Sequence, residues 1–168
     1  MNASAKSLSA AAPLGSPSDS IVEIDVGLTA RDQISLKLEL INGVIMKCSL
    51  TGIGCEELLD LLAEWRTKLA SVQQFQGTVS DLPLPLGGGH SAILLREAIL
   101  KAQGLWIFPY GEEELCHCRA IPTQKVDEAI VSGCHSVPSV SSATSAGTSC
   151  GTCKPDIEKV LRYRLNQK

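Results

Sequence analysis

Four cysteines in the C-terminal third constrain this chain more than any other feature. Cys116 and Cys118 stand in Leu115-Cys116-His117-Cys118, and Cys150 and Cys153 in Ser149-Cys150-Gly151-Thr152-Cys153. Residues 119–149, which separate the pairs, contain no large apolar block. A C-x-C…C-x-x-C array is a metal-ligand set first and a disulfide set second. With one residue between its sulfurs, the C-x-C pair can grip one metal centre only where the backbone turns sharply. A C-x-x-C pair that opens a helix aims both sulfurs at one spot, beside free backbone N–H groups that stabilise negative charge. Zinc accepts four thiolates as readily as iron does, so spacing alone leaves the metal open.

Composition narrows the class. The 168 residues suffice for one medium domain or two small ones, and a hydrophobic content of 44% permits a packed core. A net charge of −3, without a Lys/Arg stripe, argues against a nucleic-acid surface, and 4% aromatics argues against a base-stacking platform. No apolar run approaches the ~20 residues that span a bilayer. Residues 1–20 are rich in Ala, Ser and Pro and carry one Lys. They lack the apolar stretch of a secretory signal and are expected to form a flexible tail. Seven cysteines without an export signal point to a reducing compartment, so a cytoplasmic location is expected.

The organisation expected is α+β, with two segments joined between Gly104 and Glu114. Residues 21–26 and 34–40 alternate apolar and polar side chains and read as half-buried strands. Asn42-Gly43 is the strongest two-residue hairpin signal, and residues 44–50 return as a third strand of an antiparallel meander. From Glu56 to Ala70, Leu58, Leu61, Leu62, Trp65 and Leu69 make one face of an amphipathic helix. A second helix is expected from Ser91 to Gln103, stopped by Gly104. The remainder reads as short helices joined by Ser/Gly turns. One runs from Thr123, as N-cap, to Ser132, and another from Cys150 to about Arg164. A segment of ~50 residues has little core, so a metal bound by the four cysteines would also staple it.

What flanks the four cysteines narrows the reading further. Leu115-Cys116-His117-Cys118-Arg119-Ala120-Ile121-Pro122 resembles the C-L/H-C-x-x-V/I opening of the BFD-like [2Fe-2S] domain. That domain occurs in bacterioferritin-associated ferredoxins and in the middle of NifU proteins. Residues 126–133, from Val126 to Gly133, resemble its I-x-x-A-I-x-x-G helix, and residues 142–153 its T-x-A-G-T-x-C-G-x-C exit. The resemblance covers residues 115 to about 165. It implies a small all-α domain over residues 112–168, with Cys116, Cys118, Cys150 and Cys153 holding one [2Fe-2S] cluster.

A second resemblance covers roughly residues 20–103 and implies a domain over residues 21–104. Thr51-Gly52-Ile53-Gly54-Cys55 with Glu64-Trp65 is similar to the T-F-G-C…E-W element of the IscU/NifU N-terminal scaffold. Residues 90–99, from His90 to Ile99, are similar to its H-C-S-I-L-A-E-D-A-I helix, and residues 26–32, from Val26 to Asp32, to its V-G-x-P-x-C-G-D loop. That scaffold builds a nascent cluster on three cysteines with an Asp and a His. Here Cys55 matches the middle cysteine and His90 the histidine, and Asp32 matches the aspartate once one residue is deleted. Arg31 stands at or near the first cysteine and Ser91 at the third, where a hydroxyl is a poor iron ligand beside a thiolate. Leu82 to Gly89 departs from the scaffold's L-P-P-V-K chaperone-binding stretch.

The resemblances imply a NifU-type protein: a degenerate scaffold domain fused to an intact [2Fe-2S] domain, serving cluster assembly or delivery and not acting as an enzyme. No third domain with its own C-x-x-C is expected after Lys168. The implied partners are a cysteine desulfurase or cluster-accepting apoproteins, with no nucleic acid and no membrane, and a homodimer is left open. The rival reading is a small redox carrier like bacterioferritin-associated ferredoxin, which would serve a ferritin or a redox partner. A zinc-binding adaptor is the weaker third. Cys55 reads equally as a small core residue or a functional thiol, and His90 as an exposed helix-start residue or a ligand to a residual site with Cys55 and Asp32. Cys48 and Cys134 read as packing, and His117 as exposed. Gly87-Gly88-Gly89 lacks the Lys-Ser/Thr of a phosphate loop.

Overall fold

The computed structural model describes residues 19–166. The expectation for the N-terminal tail lies outside these residues, except at Asp19 and Ser20, which begin the first strand. β1 (Asp19–Gly27), β2 (Gln33–Ile41) and β3 (Val44–Ile53) form an antiparallel sheet in that order. Asn42 and Gly43 take φ of 52° and 81°, the doubly positive pair that a right-twisted hairpin needs. Leu36 and Leu38 at the centre of the sheet are fully buried.

β3 does not alternate cleanly, and its register explains why. Glu39 pairs with Lys47 but Leu40 with Ile45, so Met46 is an extra, half-exposed residue. This bulge rephases the strand, which lets Ile45 and Leu50 both reach the core despite their odd spacing.

α1 (Glu56–Gln74) lays Leu58, Leu62, Trp65 and Leu69 against the sheet. It runs past the expected Ala70. Val72 still packs on the core, and the Gln73 side chain accepts the Cys48 N–H at 3.2 Å. α2 (His90–Ala102) buries Ser91, Arg96 and Glu97 as well as its apolar positions. It is covered by the sheet on one side and by the C-terminal segment on another.

The C-terminal segment is not purely helical. β4 (Glu114–Cys116) and β5 (Ile121–Pro122) form a short antiparallel ladder ahead of α3 (Thr123–Val131), α4 (Val137–Thr144) and α5 (Lys154–Arg164). Three local expectations change. Pro122, not Thr123, occupies the N-cap position of α3, which has no side-chain cap; the Thr123 N–H and hydroxyl instead donate to the carbonyls of Glu113 and Glu112 at 2.7 and 2.6 Å. α5 starts at Lys154, with Cys153 at its N-cap and Pro155 in its first turn, so Cys150 lies ahead of the helix. α4, too short to show in the apolar spacing, is fixed by a reciprocal Ser136–Ser139 capping box. Phe108 and Tyr110, expected in a linker, pack against the second core.

Two buried clusters result, one around the sheet and one around Leu115, Val126, Ile130 and Ile157. They meet at a seam where Val131 joins the first cluster and Leu165 touches both. Arg164, 5% exposed, crosses that seam: it pairs with Glu97 of α2 and with both carboxylate oxygens of Asp127 of α3. Its guanidinium also lies 4.7 Å over the Trp106 ring. Burial pushes the Asp127 carboxyl up despite this partner. Replacing Arg164 by Met would strand two carboxylates at the seam. We expect a loss of about 3 kcal/mol in urea unfolding. An unchanged midpoint would show that the seam does not contribute to stability.

Candidate metal centres

The first centre is built by the turn that the C-x-C pair requires. Cys116 ends β4 in an extended conformation, and His117–Arg119 form a single 3-10 turn closed by Ala120 in the left-handed region at φ 48°. This turn brings Cys116 Sγ to 3.7 Å from Cys118 Sγ. The loop between α4 and α5 returns the second pair: Cys150 Sγ lies 3.4 Å from Cys118 Sγ, and Cys153 contacts Cys116. Cys116 and Cys153 are buried in the second core, whereas Cys118 and Cys150 are exposed.

The sulfurs titrate as a set. At Cys116, burial raises the thiol, but the Gly147 N–H and donation from Cys153 and Cys118 outweigh it and leave the pKa lowered. Cys150 falls to about 7 because the Thr152 hydroxyl and N–H both donate to it. Cys153 is pushed up to about 11 by burial and by its contact with Cys116. Cys118 is also raised, since its contacts with Cys150 and Cys116 outweigh the Cys150 N–H that favours its thiolate. Two thiols are thus shifted down and two up, as expected when four like charges share one spot. A cationic centre reverses that preference and releases the remaining protons. The donor set therefore fits a thiolate-bound metal centre. Gly147, at φ 75°, aims its N–H at this group from a conformation that side chains resist. His117 is exposed and sits 3.2 Å from Glu112, as expected of a solvated residue.

The second centre gathers Cys55, His90 and Asp32. Their ligand atoms all lie within 4.8 Å of one another. Cys55 caps the start of α1, and its Sγ is 3.1 Å from His90 Nε2 at the start of α2. Asp32, in the β1–β2 loop, is fully buried. Its Oδ1 accepts the Cys55 N–H at 2.9 Å. Its Oδ2 has no well-formed hydrogen bond among the described residues; it faces Arg31 Nε at 3.1 Å and His90 Nε2 at 3.7 Å. A tetrahedral zinc would hold sulfur and nitrogen ligands about 3.5 Å apart, so the donors are close to the needed spacing. Ser91, at the position of the missing third cysteine, brings its Oγ to 3.1 Å from His90 Nε2.

Two supporting features were not evident from the sequence. Glu57 Oε2 lies 3.7 Å from His90 Nδ1 and places a carboxylate on the far side of the ring from Cys55. A Cβ at Gly54 would fall 2.3 Å from Asp32 Oδ1, so only glycine lets the carboxylate approach the start of α1. A Gly-Cys pair at a strand-to-helix junction was the available signal for the second.

With this geometry in view, comparison with known proteins gives the class. Residues 115–163 match the BFD-like [2Fe-2S] binding domain, and the chain belongs to that family through this segment. It is an iron–sulfur, metal-binding protein whose cofactor is a [2Fe-2S] cluster. The chain is 36% identical over 52 residues to bacterioferritin-associated ferredoxin of Pseudomonas aeruginosa, covering 31% of this chain and 71% of the ferredoxin. It is 29% identical over 93 residues to nitrogen fixation protein NifU of Leptolyngbya boryana, covering 51% of this chain. That match spans only 45% of the NifU protein's own length. No solved structure matches the chain. Among the described residues, no helix is long and apolar enough to cross a membrane.

The two half-buried cysteines of the sheet segment provide a test of the second centre. Burial pushes the Cys48 thiol up to about 11, so iodoacetamide should label it slowly at neutral pH and faster as pH rises toward that value. Added zinc should protect Cys55 but not Cys48 in the full chain, and Gly54→Ala should abolish that protection. Equal labelling of both thiols with and without zinc would show that Cys55, His90 and Asp32 bind no metal.

Proposed function

We propose that Cys116, Cys118, Cys150 and Cys153 hold one [2Fe-2S] cluster and that the chain serves iron–sulfur cluster assembly or delivery in the cytoplasm, as a NifU-type carrier and not as an enzyme. One observation carries this reading: the four sulfurs converge within the segment that matches the [2Fe-2S] domain. The sheet segment, residues 21–104, is read as an IscU/NifU-like scaffold domain reduced to a residual site. Its support is the meander followed by two helices whose starts bring Cys55 and His90 together beside Asp32. Where a scaffold would offer further thiolates, this chain offers the Arg31 guanidinium and the Ser91 hydroxyl. Neither holds iron as a thiolate does. Cysteine desulfurases or cluster-accepting apoproteins are the corresponding partners.

A second reading is a redox carrier that serves a ferritin or another redox protein. It is favoured by the exposure of Cys118 and Cys150, which would bring one edge of a cluster to solvent. Pull-down with a cysteine desulfurase against pull-down with a ferritin separates the two. A zinc adaptor would be colourless, whereas an iron–sulfur chain absorbs in the visible.

Cys150→Ala should reduce iron and sulfide to background, abolish the visible spectrum and lower the unfolding temperature of the C-terminal segment. Unchanged iron and sulfide content would refute the ligand assignment. With Cys116, Cys118, Cys150 and Cys153 all replaced by Ser, reconstitution with iron and sulfide should leave no stable cluster on the full chain. A stoichiometric cluster on that variant would make the sheet segment an active scaffold.

A further inference from the structure

The seam between the two segments contains a cleft of about 550 Å³, which is within the size range of small-molecule sites. Trp106, Tyr163, Leu84, Leu86 and Leu100 give it an apolar wall, with Trp106 packed edge-on to Tyr163 at 4.9 Å. Its other lining is basic: Arg96, Lys159, Arg162 and Arg164, with no acidic residue. Three of these cations already hold carboxylates. Lys159 pairs with Asp156 at 3.0 Å, Arg162 with Glu158 at 2.6 Å, and Arg164 with Glu97 and Asp127.

Arg96 is the exception. It is 6% exposed on α2, and among the described residues it faces no carboxylate. Its guanidinium donates to the carbonyls of Gly87, at 3.4 Å, and of Arg164 at the end of α5. Those bonds satisfy two of its N–H groups and draw on the negative end of the α5 dipole. They leave a full positive charge beside the positive charge of Arg164, and both burial and that neighbour disfavour it. A buried cation without a counter-charge is costly, and the cleft is open to whatever supplies one.

We propose that this cleft binds a small amphipathic carboxylate, with its carboxylate on Arg96 and its apolar body between Trp106 and the Leu84–Leu86 loop. One uncompensated cation suits a monoanion better than a doubly charged phosphate. The planar guanidinium still has N–H groups to offer a carboxylate. The apolar wall requires a hydrocarbon or aromatic body, which excludes inorganic anions as full occupants.

The test titrates the cluster-loaded full chain with 4-phenylbutyrate and with 4-phenylbutan-1-ol, following the Trp106 indole N–H resonance assigned with Trp106→Phe. The carboxylate should shift that resonance saturably, and the alcohol should bind at least tenfold more weakly. Arg96→Gln should weaken carboxylate binding at least tenfold, while Lys125→Gln, on the exposed face of α3, should leave it within twofold. Equal binding of acid and alcohol, a shift that never saturates, or full affinity in Arg96→Gln would overturn the proposal. If Arg96→Gln fails to fold, the acid–alcohol comparison on the native chain decides alone.

Discussion

Mutual repulsion among four cysteine sulfurs is the constraint around which the C-terminal segment is organised. Sulfur separations of 3.4 and 3.7 Å cannot accommodate four thiolates in water-like or apolar surroundings alone. The chain handles this by splitting the set, with Cys116 and Cys150 lowered and Cys118 and Cys153 raised. The backbone supports the same group through the Gly147 N–H and the Thr152 N–H just ahead of α5. The second core is small, and two of its buried members are Cys116 and Cys153 themselves. On the proposed reading, a metal centre that neutralises these sulfurs also relieves repulsion inside the core, which couples cofactor binding to the stability of this segment.

The rest of the molecule holds that segment by charge as well as by apolar contact. Glu97, Arg164 and Asp127 join three helices from both halves in one buried ionic group. A second contact, from the Thr29 hydroxyl to Glu128 at 2.6 Å, ties the loop that carries Asp32 to α3. The loop that supplies Asp32 is therefore braced by the C-terminal segment.

Much of this was legible in the sequence because it rests on local rules. The meander followed from period-two alternation and from Asn42-Gly43, and α1 from its apolar stripe. The four-cysteine set followed from spacing and from the glycines beside it. What was not legible depends on contacts between distant residues. The bulge at Met46 is a register effect set by β2. Thr123 is drawn from capping α3 by carbonyls ten or more positions away. Arg96 and Glu97 sit in a run that reads as an apolar helix interrupted by two charges. Only the fold shows that both charges are buried, one paired and one not. The β4–β5 ladder is too short for any alternation signal, and its role appears only when Cys116 is seen to end it.

The two centres differ in a way that follows from their donor sets. The first offers four soft sulfurs, half of them shielded by the core, a set suited to a thiolate-rich iron–sulfur cluster. The second offers one sulfur, one imidazole and one buried carboxylate, with the Arg31 cation 3.1 Å from that carboxylate. Arg31 offsets charge that a metal would otherwise neutralise, so it competes with an ion for Asp32 Oδ2 and weakens retention. Its side chain is half exposed, whereas Asp32 is buried and held by the Cys55 N–H and by the close approach of Gly54. On the proposed reading, this arrangement favours a site that takes up a single ion and releases it readily. That is the opposite requirement from the first centre, where metal and fold are held together.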